Sequence, residues 1–217
     1  MTRPQLVLRL AERLAAIQLP HPVRVGIDGI DGVGKTTLAD ALVAPLAARG
    51  RPVIRASIDG FHNPRTVRYR RGRNSPEGYY LDSFNLGALT LMLLEPLGPG
   101  GSRRYRTAVF DYRIDAVIEG TRAEADPRAL LLFDGVFLHR PELTRFWDFS
   151  LFMDADFAIT VPRMAGRDGT SAGLDDPLNR RYVEGQKLYL KTCEPGRLAD
   201  VMIDNTDYDN PVVTGLD

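Results

Sequence analysis

Between Gly29 and Thr37 the chain reads Gly29-Ile30-Asp31-Gly32-Val33-Gly34-Lys35-Thr36-Thr37. That run gathers the groups a polyphosphate needs. Glycines let the backbone curl so that successive N–H groups point inward at an anion, and a helix beginning at the end of the loop adds positive potential. Lys35 can reach the outer phosphates, and the Thr36 hydroxyl can ligate Mg²⁺. The nucleotide contacts expected from this run are Gly29, Asp31, Gly32, Val33, Gly34, Lys35, Thr36 and Thr37.

Two further aspartates follow strand-like runs. Asp59 closes Val53–Ile58, and Asp134 closes the apolar run Ala129–Phe133. In open α/β sheets ligands collect at the carboxyl ends of strands, so both would lie near the mouth of the glycine loop. Asp59 there could accept a proton from a substrate hydroxyl, or it could be a turn aspartate before Gly60. Asp134 suits a Mg²⁺ ligand, direct or through water, because a buried acid needs a metal or a donor beside it. Arg163 and Arg167 are four residues apart, on one face of a short helix; they could close over a transferring phosphate or simply face solvent. Arginines at 65, 68, 70, 71 and 73 crowd one loop. They could bind an anionic substrate or belong to a solvated segment. Asp111, Tyr112 and Asp115 could touch a substrate, although a hairpin turn would use the same residue types.

The elements that must position these groups are legible from periodicity. Val23, Val25 and Ile27 alternate as a strand, and Leu38, Ala39, Leu42, Val43 and Leu46 recur at helical spacing. Leu6, Leu10, Leu14 and Ile17 mark one face of an N-terminal helix ending at Leu19-Pro20. Residues 63–80 read as irregular, and Leu81–Leu94 as a helix with Asp82 or Ser83 near its cap. Residues 95–125 read as a small β-excursion over the site, with β-prone pieces at 107–110 and 116–118. Phe149–Met153 reads as a strand, 166–179 as a mobile stretch, 180–192 as a helix, and 199–203 as the last buried strand. Three or four strands alternating with helices predict a doubly wound parallel sheet.

At 217 residues and 44% hydrophobic, the chain can bury one substantial core, and one α/β domain spanning 1–217 is expected. Zero formal net charge provides no global field for nucleic acid or anionic membrane. The single cysteine, Cys193, excludes an intramolecular disulfide and suits a reducing cytoplasm. No apolar run reaches the ~20 residues of a membrane span, and no uninterrupted signal-peptide core is present.

Taken in order, these motifs resemble the uridine kinase-like branch of P-loop kinases, which includes uridine–cytidine kinases, phosphoribulokinase and bacterial pantothenate kinase. The likeness runs from about Val23 to Val213. Ile58-Asp59-Gly60-Phe61-His62 is similar to the segment whose aspartate is the catalytic base. Residues 75–85 are similar to the segment ending in P-x-A-F-D, Phe133-Asp134-Gly135 to the strand ending in E-G-I, and Phe152–Asp156 with Arg163 and Arg167-Asp168 to the lid region. Pro195 and residues 199–203 resemble the closing strand.

The resemblance implies a P-loop nucleoside triphosphate hydrolase fold with a helical lid at about 160–182. It also implies ATP and Mg²⁺ as cofactors and γ-phosphate transfer to a small hydroxyl-bearing metabolite. It makes Asp59, Lys35, Arg163 and Arg167 catalytic, Thr36 and Asp134 metal-holding, and puts Phe61, His62, Arg71, Tyr80, Asp111, Tyr112 and Asp115 on the acceptor side. One departure stands out: where uridine kinases carry Y-D-[FY]-x-x-H, this chain has Phe110-Asp111-Tyr112-Arg113-Ile114-Asp115, which argues against uridine itself. The competing readings are a P-loop ATPase or nucleotide-binding regulator without an acceptor, and a nucleic-acid-directed kinase using the arginine loop. A guanine-binding N-K-x-D signature is absent from the sequence, and homo-oligomerisation is left open.

Overall fold

Val23–Gly29 forms strand β1, every residue of it buried. The computed structural model describes residues 1–169 and 171–216; Thr170, Asp217 and the side chains of Arg167 and Asp168 lie outside the described residues. β1 runs parallel between β3 (Leu130–Gly135) and β4 (Phe149–Asp154). β2 (Val53–Ser57) extends the sheet beyond β3, and β5 (Val201–Asp204) extends it beyond β4, both in parallel register. A final strand β6 (Val212–Thr214) pairs antiparallel with β5, giving a six-stranded sheet in the order β6-β5-β4-β1-β3-β2. The sequence pattern missed β6, because three residues of which two are half-covered or less carry no alternation to read.

Strand alternation builds two cores, since successive side chains face opposite sides of the sheet. Val23, Val25, Ile27, Leu130 and Leu132 pack against helices α1 (Arg3–Ala16) and α2 (Lys35–Ala48). Leu131 and Phe133 face the other way, onto Phe137, Tyr189, Leu89 and Leu93. Leu6, Leu10 and Leu14 are fully buried, each contributing about 2 kcal/mol of apolar transfer. Helix α1 stops at Ala16, three residues before the expected end, and its start is set by a capping box between Thr2 and Gln5.

The segment between β2 and β3 departs most from expectation. Residues 63–80 are not wholly irregular: Arg65–Arg68 makes one helical turn, and α3 (Pro76–Asp82) begins on a Ser75 cap. The expected helix over 81–94 is broken. Residues 83–85 instead lie alongside 61–63, with the Asn63 N–H on Ser83 O at 2.8 Å and the Asn85 N–H on Phe61 O at 2.7 Å. Helix resumes at Leu86–Leu89, capped by Asn85, and widens to a π turn over Thr90–Leu94. Asp82, expected at a cap, is buried and pairs with Arg70 and Arg71. Two small antiparallel pairs follow, Arg104–Tyr105 with Ala123–Glu124 and Phe110–Asp111 with Ala116–Val117. Both ends of the stretch expected to be mobile are helical, because α4 (Phe157–Asp168) runs into it and α5 (Pro177–Cys193) starts within it on an Asp176 cap.

Candidate active site

The glycine loop leaves β1 at Gly29 and enters α2 at Lys35, so the helix N-terminus opens where the sheet ends. Gly32 has φ +75, and a Cβ there would meet the Thr160 carbonyl of α4 at 2.3 Å, so this position accepts glycine alone without distortion. Lys35 Nζ donates to the carbonyls of Gly29 at 2.9 Å and Ile30 at 2.7 Å. Burial pulls its pKa down, while Asp31, Asp28, Asp134 and Asp59 pull it back up. Thr36 Oγ1 donates to Asp134 Oδ2 at 2.7 Å. The other oxygen of Asp134 takes the Arg55 Nη2–H at 2.9 Å, so this 2%-exposed carboxylate is fully partnered. Arg55 also reaches Asp40 at the surface.

Side chains from distant elements hold the loop in place. Tyr79 of α3 donates to Asp31 Oδ2 at 2.7 Å, and Gln186 of α5 accepts the Asp31 backbone N–H. Burial, then the charge of Asp31, push the Tyr79 phenol well above its ordinary pKa, so it remains a donor. Asn205, just past β5, donates to Val33 O at 2.7 Å and accepts from Arg3 Nη1 at 3.0 Å. Beneath the loop, Asp28 is fully buried and accepts from the Gly29 N–H, the His139 N–H, His139 Nδ1 and Tyr189. A buried carboxylate of this kind is tolerable because both of its oxygens have donors.

Opposite Lys35 stands Asp59, in the 3₁₀ turn Ile58–Phe61 that ends β2, exposed on the cavity wall. Gly60 beside it lets the excursion approach: a Cβ would lie 2.8 Å from both Ala108 Cβ and Thr107 O, and the Val109 N–H donates to Gly60 O at 2.8 Å. His62 packs between Phe84 and Tyr112, tilted against both, with ring centroids 4.7 and 4.6 Å away. Burial lowers its pKa to about 4, against the raising effect of its bond to Asp59 O. With Nδ1 donating to that carbonyl at 3.0 Å, Nε2 is left as an acceptor on a neutral ring.

One cavity of about 650 Å³ joins both ends, a size that suits small-molecule ligands. Of the residues expected from sequence, Asp31, Gly32, Val33, Gly34, Lys35, Thr36, Thr37, Asp59, His62, Tyr112, Asp134 and Arg163 line it. Gly29, Phe61, Arg71, Tyr80, Asp111 and Asp115 do not. Phe61 and Tyr80 are core residues, with Tyr80 hydroxyl against Cys193 Sγ at 3.3 Å. Arg71 is tied to Asp82, and Asp115 turns to Arg68. Asp111 accepts the Arg113 N–H, the turn role considered beside a substrate contact. Arg163 donates to the carbonyls of Asn205 at 3.1 Å and Thr206 at 3.0 Å. The Arg167 side chain lies outside the described residues. Sequence reasoning missed Tyr79, Gln186, Tyr182 and Arg55, whose partners lie far along the chain. Asn205 and Tyr208 fall in the segment just beyond the carboxyl end of a parallel strand, 205–211, where a nucleotide base could be skirted.

A strand–glycine loop–helix with an acidic strand end against its threonine defines a P-loop nucleotide-binding fold. No protein-family model matches the chain. Pantothenate kinase from Rhodopseudomonas palustris (strain HaA2) is 28% identical over 157 residues, covering 66% of this chain and 48% of that protein. The chain therefore spans about half the length of the curated relatives it matches. Among solved structures, a possible uridine kinase from Bacillus stearothermophilus superposes with a TM-score of 0.73 at 26% identity, covering 92% of this chain and 97% of the other. A candidate fructose transport system kinase from Silicibacter sp. TM1040 gives 0.67 at 26% identity, covering 88% and 95%. The chain is similar to the uridine kinase-like P-loop kinases in sequence and in fold.

Proposed function

We propose that the protein is a Mg²⁺–ATP-dependent kinase that moves the γ-phosphate to a hydroxyl of a small metabolite. The observation that carries the proposal is the meeting of Lys35, Thr36, Asp134 and Asp59 on one cavity. In this reading the loop amides and Lys35 bind the phosphates, and Asp59 takes the hydroxyl proton as that oxygen bonds to the γ-phosphorus and the bond to the ADP oxygen breaks. Arg163 and Arg167, one turn apart on α4, would offset charge on the moving group as a lid over 160–182 closes.

The oxygen pair formed by Thr36 and Asp134, 2.7 Å apart, fits Mg²⁺, which needs few protein ligands and completes its shell with water and phosphate. Those two residues would hold the ion; when bound it neutralises phosphate charge. The whole of 1–217 acts in this reading as one kinase unit, with 95–125 covering the acceptor. No helix among the described residues is long and apolar enough to cross a membrane; the single cysteine suits a cytoplasmic setting.

The test is ADP release from Mg²⁺–ATP by purified protein across nucleosides, pantothenate, and free and phosphorylated sugars. Stimulation by one acceptor is the expected result. Steady hydrolysis that no acceptor changes would replace the kinase with an ATPase or a nucleotide-binding regulator.

A further inference from the structure

The glycine loop carries a negative charge at its third residue. Asp31 lines the cavity in one run with Gly32 to Thr37. Asp28 and Asp134, the buried carboxylates nearby, have donors on both oxygens. The Asp31 carboxylate has one donor, the Tyr79 hydroxyl on Oδ2 at 2.7 Å, and no cation lies within ion-pair distance of it among the described residues.

The residue is nevertheless held. Tyr79, 7% exposed, reaches it from α3, and Gln186, 2% exposed, takes its backbone N–H at 2.5 Å from α5. Two buried side chains from separate helices keep the carboxylate from swinging out to bulk water. Its neighbours in the loop are groups suited to an anion. The N–H groups of Gly32, Gly34, Lys35, Thr36 and Thr37 meet no protein acceptor among the described residues. Burial lowers the pKa of Lys35, and of the charges that oppose this, Asp31 acts most strongly. A fixed carboxylate among these groups cancels part of the potential that attracts phosphate. It also repels a bound anion in proportion to the charge that anion carries.

We propose that Asp31 is a specificity-determining residue that makes the loop discriminate against metal-free nucleotide. This rests on the nucleotide half of the kinase reading. A divalent cation roughly halves the net charge of a triphosphate, so repulsion from Asp31 falls by about half when nucleotide and metal arrive together. Asp31 needs no contact with the ion to have this effect.

The experiment is calorimetric titration of the full chain with a non-hydrolysable ATP analogue, once with Mg²⁺ and once with the metal chelated. Asp31→Asn keeps an oxygen for Tyr79 and the N–H for Gln186 while removing the charge. It should tighten the metal-free analogue about tenfold and the Mg²⁺ complex about threefold, because halving the ligand charge takes the square root of the gain. Asp31→Ser, uncharged and smaller, should repeat the pattern; it separates charge from shape and stands in if Asp31→Asn does not fold. Both gains should shrink at high salt.

Equal gains with and without the metal, or a metal-free analogue that neither variant binds more tightly, overturn the proposal and leave the kinase reading standing. Weaker binding of the Mg²⁺ complex in both variants also overturns it, and would make Asp31 a ligand of the ion. A wild-type protein that binds the analogue in neither condition overturns the kinase reading and this proposal with it.

Discussion

At the end of the cavity proposed to bind phosphate, the lining comes from seven consecutive residues, Asp31–Thr37, which offer backbone amides, one lysine and two threonines. At the acceptor end it comes from side chains of scattered segments: Asp59 and His62 after β2, Arg68 in a helical turn, Phe84 in the break before Leu86, Tyr112 in a hairpin and Tyr182 on α5. The first end is pinned by contacts such as Asn205 on Val33 O and Tyr79 on Asp31. The second contains an unpaired guanidinium nitrogen and a histidine held neutral by burial. In the proposed kinase reading, phosphate recognition would be fixed by the backbone path, whereas acceptor recognition would depend on what several independent loops bring together. One end is suited to constancy, the other to change of substrate.

Substitutions at each end can break that division. The largest expected effect is at Asp59, where Asp59→Asn should lower kcat by about 10²–10⁴-fold with ATP affinity nearly unchanged, measured by steady-state kinetics and nucleotide titration. If turnover survives, Asp59 is not the base and the acceptor end has another. Next comes Arg55, which does not line the cavity but holds Asp134 by an ion pair at 2.9 Å. Arg55→Gln should raise the Mg²⁺ concentration for half-maximal activity by roughly 10–100-fold, the usual cost of losing an outer partner of a metal ligand. An equal rise in acceptor KM would mean the two ends are not separable.

A smaller effect sharpens the comparison through pH. His62 titrates near 4 in the native protein and near its ordinary value of 6.5 once unfolded. As pH falls from about 6.5 towards about 4, the unfolded chain gains a proton that the native chain refuses, so stability is lost across that window. Denaturation midpoints measured against pH should show this slope in the wild type and a shallower one in His62→Gln. The smallest change belongs to Tyr208, which lines the cavity under the Arg3 guanidinium, 4.5 Å from its ring centroid. Tyr208→Leu should raise KM for ATP about fivefold, a ring-stacking loss near ~1 kcal/mol, and leave acceptor KM alone.

The same division explains what sequence could tell. The loop proposed to hold phosphate was legible as a loop because its residues sit in one uninterrupted run, and the place of Asp134 because an apolar strand announces its own end. Among five clustered arginines, nothing local distinguishes Arg68 from Arg70 or Arg71. The choice is made by Asp82, 1% exposed, which takes both of the latter, and by the turn that sends Arg68 inward. Within the stretch expected to be helical over 81–94, Leu89 and Leu93 are buried, yet Phe84 is drawn out of helical geometry to cover His62. Pairing of 83–85 with 61–63 is a tertiary demand that no leucine spacing reports. Tyr80 and Phe61 were misplaced for a related reason: aromatic residues beside a motif are as often packed beneath a site as within it, and here both are core.

Arg3 sits on the first helix, far in sequence from every phosphate-binding group, yet it bonds Asn205, which bonds the carbonyl of Val33 in the glycine loop. Linkage between two such places is reciprocal: whatever steadies the loop steadies the helix by the same free energy. Amide hydrogens of α1 should consequently exchange with solvent more slowly when nucleotide is bound. An alteration at the amino terminus would in turn be felt as a change in nucleotide dissociation rather than as a merely local fraying.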